Sequence, residues 1–238
     1  MNGGLLDEYR REMERIFGED LVSLLLYGSH ASDDPAPGKE ISLLVVVRTL
    51  REEALENFRR IAHRYALRGI PPPPLVTETF FHGSADVFPL EYLGLAERRK
   101  VLSGTDIVAD LVISAENLRH QTEFELKGKW LSLGRMYLTT FRKREISRLI
   151  LSTVGPIVAV ARGLLLAEEP RAPHRKEEIL DRIEKRFEIR LPILREAVAA
   201  RKAGKLAPDR AEEIFFEYLQ EVGRLASLPN SLPPANTP

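Results

Sequence analysis

Gly28 and Ser29 are the residues whose types and placement most directly suit chemistry. They follow the apolar run Leu21 to Tyr27 without a spacer, and a glycine there lets the backbone turn sharply and lets a ligand approach closely. The serine hydroxyl and the N–H groups after it can then donate to phosphate oxygens. Other chemistry is sparse. His30, His63, His82, His120 and His174 show no HExxH or comparable ligand spacing, so no zinc site is expected. The chain has no cysteine, which excludes disulfides and thiolate metal sites.

The elements that must position Gly28 and Ser29 are two short runs rich in Leu and Val, Leu21 to Tyr27 and Ile41 to Val47. Continuous apolar runs of this length suit strands buried on both faces. Ahead of them, Leu5, Leu6, Tyr9, Met13, Ile16 and Phe17 line one side of a helix that Gly18 ends. After them, Thr49 and Glu52 have capping-box spacing for a helix reaching about Arg68, closed by Gly69. Pro71 to Pro74 form a stiff extended connector. Leu75 to Phe81 reads as a strand, and Asp86 to Leu93 (DVFPLEYL) as another, with Pro89 marking an edge or a bulge.

An apolar strand, Tyr27-Gly28-Ser29, a loop, and Pro37-Gly38-Lys39 before a second apolar strand together resemble the nucleotidyltransferase superfamily of DNA polymerase beta and the aminoglycoside nucleotidyltransferases. The resemblance implies an Asp-x-Asp pair opening the second strand, where this chain has Glu40-Ile41-Ser42. Residues i and i+2 of a strand share a face, so such a pair aims two carboxylates at one spot. In the superfamily those carboxylates hold divalent metal, usually two magnesium ions that bind the nucleotide phosphates and activate the attacking hydroxyl. Here the first acid is one methylene longer and the second is a neutral hydroxyl, a poor magnesium ligand. A weakened site at Glu40 and Ser42 follows. The third carboxylate comes, by resemblance, from a strand beside the Asp-x-Asp strand. Asp86 and Glu91 in DVFPLEYL compete for it, since their odd spacing puts them on opposite faces of a strand; Asp86, at the strand end, is the preferred metal ligand.

Strand-like segments stop near Ile113, and helical patterning continues almost throughout the rest. Ser114 suits an N-cap for a helix to about Phe141. A helix from Arg144 to about Glu168, nearly hydrophobic all round after Leu149, is expected to kink or split at Pro156. Three more are expected, at 176–187, 192–203 and 208–228. Trp130 fits a core position better than a base-stacking one. The fold class is therefore α+β: a nucleotidyltransferase-like mixed sheet with flanking helices over 1–113, an antiparallel helical bundle over 114–228, and a disordered tail over 229–238. A helical domain in second place is also what the aminoglycoside-type resemblance implies.

With 35 basic and 35 acidic residues among 238, the net charge is zero, which argues against a surface built for nucleic acid. No apolar run approaches the roughly 20 residues of a membrane span and the N-terminus lacks a signal pattern, so a cytoplasmic protein without membrane contact is expected. Three functions stay open. The first is a nucleotide- or partner-binding protein of this fold with little or no transfer. The second is an active magnesium-dependent enzyme moving a nucleoside monophosphate from a nucleoside triphosphate to a hydroxyl. The third is a structural module acting through its helical domain on a protein partner or a second copy.

Overall fold

The computed structural model describes residues 3–31, 41–169 and 171–231. It is α+β, with one four-stranded mixed sheet and, among the described residues, nine α-helices. The chain divides into two compact units, Met1–Ile113 and Ser114–Pro238.

In the first unit, helix α1 (Gly3–Phe17) leads into strand β1 (Leu21–Tyr27), and β2 (Ser42–Val47) is followed by α2 (Glu52–Ala66). A short β3 (Leu75–Thr77) precedes α3 (Glu78–Gly83) and α4 (Pro89–Glu97), and β4 (Arg99–Gly104) completes the sheet in the order β3-β2-β1-β4. β1 runs antiparallel to both β2 and β4, and β3 lies parallel to β2. Alternation along the strands sorts the core into two layers. Leu24, Leu26, Leu43, Val45 and Val47 pack with Leu5, Tyr9 and Met13 of α1 and Phe58 and Tyr65 of α2. Leu25, Leu44 and Val46 meet Phe81 of α3 and Tyr92 and Leu95 of α4 on the other side. Each β2 residue is thus committed to one face. At the end of β4, Gly104 has φ +80°, and a Cβ there would lie 2.1 Å from the Val22 carbonyl oxygen.

Three expectations for this unit are corrected. DVFPLEYL is not a strand: Asp86 sits in the turn after α3, and Pro89 opens α4, where a proline loses no hydrogen bond because first-turn amides have no partner within the helix. Leu75 to Phe81 is a strand only to Thr77, whose hydroxyl accepts the Phe80 amide at 3.1 Å and so starts α3. The Thr49–Glu52 capping box does not form, and α2 begins after Arg51 with no side-chain cap. The basic run Arg98-Arg99-Lys100 joins the end of α4 to the start of β4, and Arg99 forks onto Asp106 through its Nε and one terminal nitrogen, each at 2.8 Å. That guanidinium holds the Asp106 carboxyl below its usual range.

The second unit contains α5 (Ala115–Leu138), α6 (Lys143–Leu166), α7 (Lys176–Phe187), α8 (Pro192–Ala203) and α9 (Pro208–Ser227). The Ser114 hydroxyl caps α5 by accepting the Asn117 amide. α6 packs against each of the other four helices, and Ile150, Val154, Ile157, Val158 and Ala161 are buried along it. Length and composition alone would let α6 cross a membrane, which the sequence reading did not anticipate, but its apolar side chains are spent within the bundle. It also continues through Pro156 as one helix rather than two. Trp130 is 40% exposed rather than core, held by its indole N–H donating to the Leu219 carbonyl at 3.2 Å. The tail expected to be disordered from 229 begins instead with a single 3-10 turn, Leu228–Ser231, because Pro229 finds a buried place.

Candidate functional site

β1 ends at Tyr27, and Gly28 turns the chain with φ +73°, a left-handed conformation that a side chain with a branched Cβ strongly disfavours. Gly28 and Ser29 open a one-turn 3-10 helix, Gly28–Ala31. The Gly28 amide donates to the Arg98 carbonyl at 3.1 Å, so the turn is anchored to the start of β4. A phosphate at this turn would therefore be met by amides beyond Gly28.

Glu40 lies outside the described residues, as do Pro37, Gly38 and Lys39. Ser42 is the first residue of β2 and pairs with Tyr27 of β1. By alternation it shares the face of Leu44 and Val46, the side covered by α3 and α4. The sheet thus brings Ser42 and Gly28 to the same end, as the Tyr27–Ser42 pairing requires. β3 beside it supplies no acid. Its register runs Val45 with Leu75 through Val47 with Thr77, and the Val45 amide donates to the Pro74 carbonyl at 3.0 Å. Following the parallel chains back toward Ser42 leads into Pro71 to Pro74. Glu78, the nearest acid in sequence, leaves the opposite end of β3.

The two competing acids part company. Asp86 lies in the exposed turn between α3 and α4. Glu91 lies in the first turn of α4 and lines a cavity of about 480 Å³. Tyr27 and Gly28 at the end of β1, Leu44 of β2, Val76 of β3, Phe81 of α3, and Phe88, Tyr92 and Leu95 around α4 form its walls. The Tyr92 hydroxyl donates to the Phe81 carbonyl at 2.7 Å, which leaves its ring facing the cavity as an apolar surface. Burial raises the pKa of the Tyr27 and Tyr92 hydroxyls, so both stay neutral at physiological pH. Gly28 and Glu91 were legible in the sequence but the cavity was not, since its walls come from five separate segments; the one signal was the apolar character of the DVFPLEYL run.

As a test for magnesium, the donors near Ser42 among the described residues are its hydroxyl and backbone carbonyls. No group of three His, Cys, Asp or Glu side chains that would hold a metal occurs among the described residues. A two-metal centre needs several carboxylate oxygens, and the acids next to Ser42 in sequence, Glu40 among them, lie outside the described residues.

A mixed sheet with β1 and β2 antiparallel, a Gly-Ser turn after β1 and a parallel third strand are now in place, and the comparison with solved structures agrees. The spectinomycin adenyltransferase AAD(9) from Enterococcus faecialis, solved with ATP and spectinomycin, matches 95% of this chain and 98% of its own with a TM-score of 0.60 at 9% identity. The chain has the nucleotidyltransferase fold. In sequence, this nucleotidyltransferase-fold chain is 29% identical over 82 residues to the "Putative protein adenylyltransferase" of Methanocaldococcus jannaschii, covering 33% of this chain. It spans 56% of that relative's length. No family model matches.

Proposed function

We propose that this protein binds a nucleoside triphosphate at the turn after β1 and has little or no metal-dependent nucleotidyl transfer. The observation that carries the reading is the β2–β3 register: the strand parallel to β2 brings Pro71 to Pro74, not a carboxylate, toward Ser42. Phosphate would be bound by Ser29 and the amides after Gly28, with Glu40 as the acid retained in the Glu40-Ile41-Ser42 motif. Of the two acids weighed for the third position, Glu91 is retained as the acid of the site, because it shares a cavity with Gly28; Asp86 has no such support.

A second reading is favoured by the names of both relatives, which are adenylyltransferases. In it an acceptor hydroxyl attacks the α-phosphorus of ATP, the bond to the β-phosphate oxygen breaks, pyrophosphate leaves, and a carboxylate takes the hydroxyl proton. Magnesium, when bound, would supply charge neutralisation at the phosphates, and Glu40 and Ser42, at the two positions of the metal motif, would be residues to hold it.

Thermal unfolding of the purified protein with ATP, with and without magnesium, tests the first reading. A rise in Tm that changes little with magnesium supports it. No rise with any nucleoside triphosphate would refute nucleotide binding, and a rise wholly dependent on magnesium, with pyrophosphate released on adding acceptors, would establish the second reading.

A further inference from the structure

The zero net charge of the chain conceals two unlike units. Met1–Ile113 carries 13 basic and 18 acidic residues, whereas Ser114–Pro238 carries 22 basic and 17 acidic. Part of the second unit's surplus is gathered along one line. On α6, Arg144 and Arg148 are exposed one turn apart, and the next two positions of that line, Ser152 and Gly155, lie under the Arg201 guanidinium from α8. The Ser147 hydroxyl donates to the Leu206 carbonyl at 2.7 Å, which holds the exposed Lys205 against the same stretch of α6. From Arg144 to Gly155 the line runs about 16 Å at the helical rise. Beyond it lies a cavity of about 340 Å³, lined by Arg201 together with Arg175, Lys176, Glu177 and Lys202.

The acids bordering this line are already matched. Lys143 holds Asp209 and Glu212, Lys202 holds Glu177, Arg175 holds Glu178, and Glu145 turns back to the Arg142 amide. Among the described residues, Arg144, Arg148, Lys176 and Lys205 have no carboxylate partner, and Arg201 donates to carbonyls alone. Five cations are thus left unneutralised in a row. Phe141, three residues before Arg144, stands 89% exposed at its head.

We infer that this face of the second unit binds single-stranded nucleic acid, its phosphodiester backbone following Arg144, Arg148, Lys205 and Arg201 toward Lys176, with a base resting on the Phe141 ring. A row of unmatched cations fits a linear polyanion better than a lone phosphate. The strand is single, because a ring standing clear of the surface meets a base face only where bases are unstacked. A membrane surface is disfavoured, since it is flat on this scale and the row ends in a concavity. The inference does not depend on nucleotide binding at Gly28.

The test follows the anisotropy of a labelled single-stranded RNA of about 20 nucleotides, without self-complementarity, titrated with the full chain at 50 and 200 mM salt. Neutralising about five phosphates predicts an affinity loss of about 100-fold between the two. The double variant Arg144→Gln, Arg148→Gln changes two exposed side chains that hold no acid; it should weaken binding at 50 mM salt by about tenfold or more and lower the salt slope by about 1.4. Arg182→Gln with Arg186→Gln removes the same charge from α7, where Glu169 and Glu168 match both cations, and should change binding less than about twofold. Phe141→Ala should cost about fivefold or more against the RNA while leaving the binding of inorganic polyphosphate unchanged. Absence of saturable RNA binding at 50 mM salt, equal losses in the two double variants, tighter binding of the same sequence as a duplex, or attachment to phosphatidylglycerol vesicles without RNA binding would each overturn the inference.

Discussion

Arg201 of α8 donates to the Ser152 carbonyl of α6 at 3.2 Å, the carbonyl that Pro156 leaves without its helical amide. The same nitrogen donates to the Leu151 carbonyl at 2.5 Å. Gly155 makes room for it, since a Cβ at that position would sit 2.9 Å from the Arg201 guanidinium carbon. The proline removes a hydrogen bond, the glycine opens the helix surface, and the arginine fills both deficits, which accounts for α6 running unbroken. Arg201→Ala should lower stability by about 1 kcal/mol, the net worth of such a bond, in chemical denaturation. Gly155→Ala displaces the flexible guanidinium but gains roughly 1 kcal/mol of helix propensity, so its net effect should be small, and Arg201→Ala made in that background should cost less than in the wild type because both act on one contact. Full additivity would show that the two residues are independent.

Gly28→Val places a β-branched residue at φ +73°. The variant should be destabilised by about 1–3 kcal/mol and should lose any ATP-induced rise in Tm. Gly28→Asn is the control, because asparagine tolerates the left-handed region; it should retain the fold and part of the shift. Retention of the full shift in the valine variant would place the nucleotide elsewhere.

Ser42→Asp, made together with Glu40→Asp, restores the missing acid on the face of β2 shared with Leu44 and Val46. Magnesium-dependent nucleotide binding should increase, since each added carboxylate offers a charged oxygen to the ion. Titration of wild type and double variant, with and without magnesium, reads this directly. Identical metal dependence in both would mean that positions 40 and 42 do not address phosphate.

Glu8 on α1 receives both guanidinium nitrogens of Arg68 at 2.8 Å and the Tyr65 hydroxyl at 3.1 Å. The Arg68 bond, above all, holds the Glu8 carboxyl down to about 2. A carboxylate lowered on folding contributes stability that is present above its unfolded pKa, near 4.5, and is lost as pH falls toward 2. Glu8→Gln should therefore lower Tm at pH 7 and flatten its fall between pH 5 and 2. Solvent screening keeps the effect small, so parallel acid profiles for wild type and variant would leave the pair without energetic weight.

Much of the sheet was legible because burial on both faces demands continuous apolar runs, and Leu21–Tyr27 and Leu43–Val47 have no other use for so many Leu and Val residues. The region after β3 was not. In TETFFHG and DVFPLEYL a short apolar run fits strand and helix equally, and the deciding features are single side chains: Thr77 capping α3 and Pro89 at the first position of α4. The site inherits the same division. Gly28 was readable from its local turn, whereas Glu91's place in the cavity depends on α4 being a helix that lies over β1 and β2. Gly155-Pro156 announced a disturbance in α6, but the arginine that answers it lies on another helix, beyond the reach of any local pattern.

The burial of α6 among α5, α7, α8 and α9 has a temporal side. On the ribosome α6 is complete at Leu166, while its cover is complete only when α9 ends at Ser227. At roughly 5–20 residues per second, those ~60 intervening residues leave a hydrophobic segment of membrane-spanning length only partly covered, by α5 first, for ~3–12 s. For that interval the nascent chain presents what a holdase or a targeting factor recognises, and chains shortened before α9 would keep presenting it. The surroundings of the central helix that binds the finished bundle together are thus the last part of it to be completed while the chain is still being made.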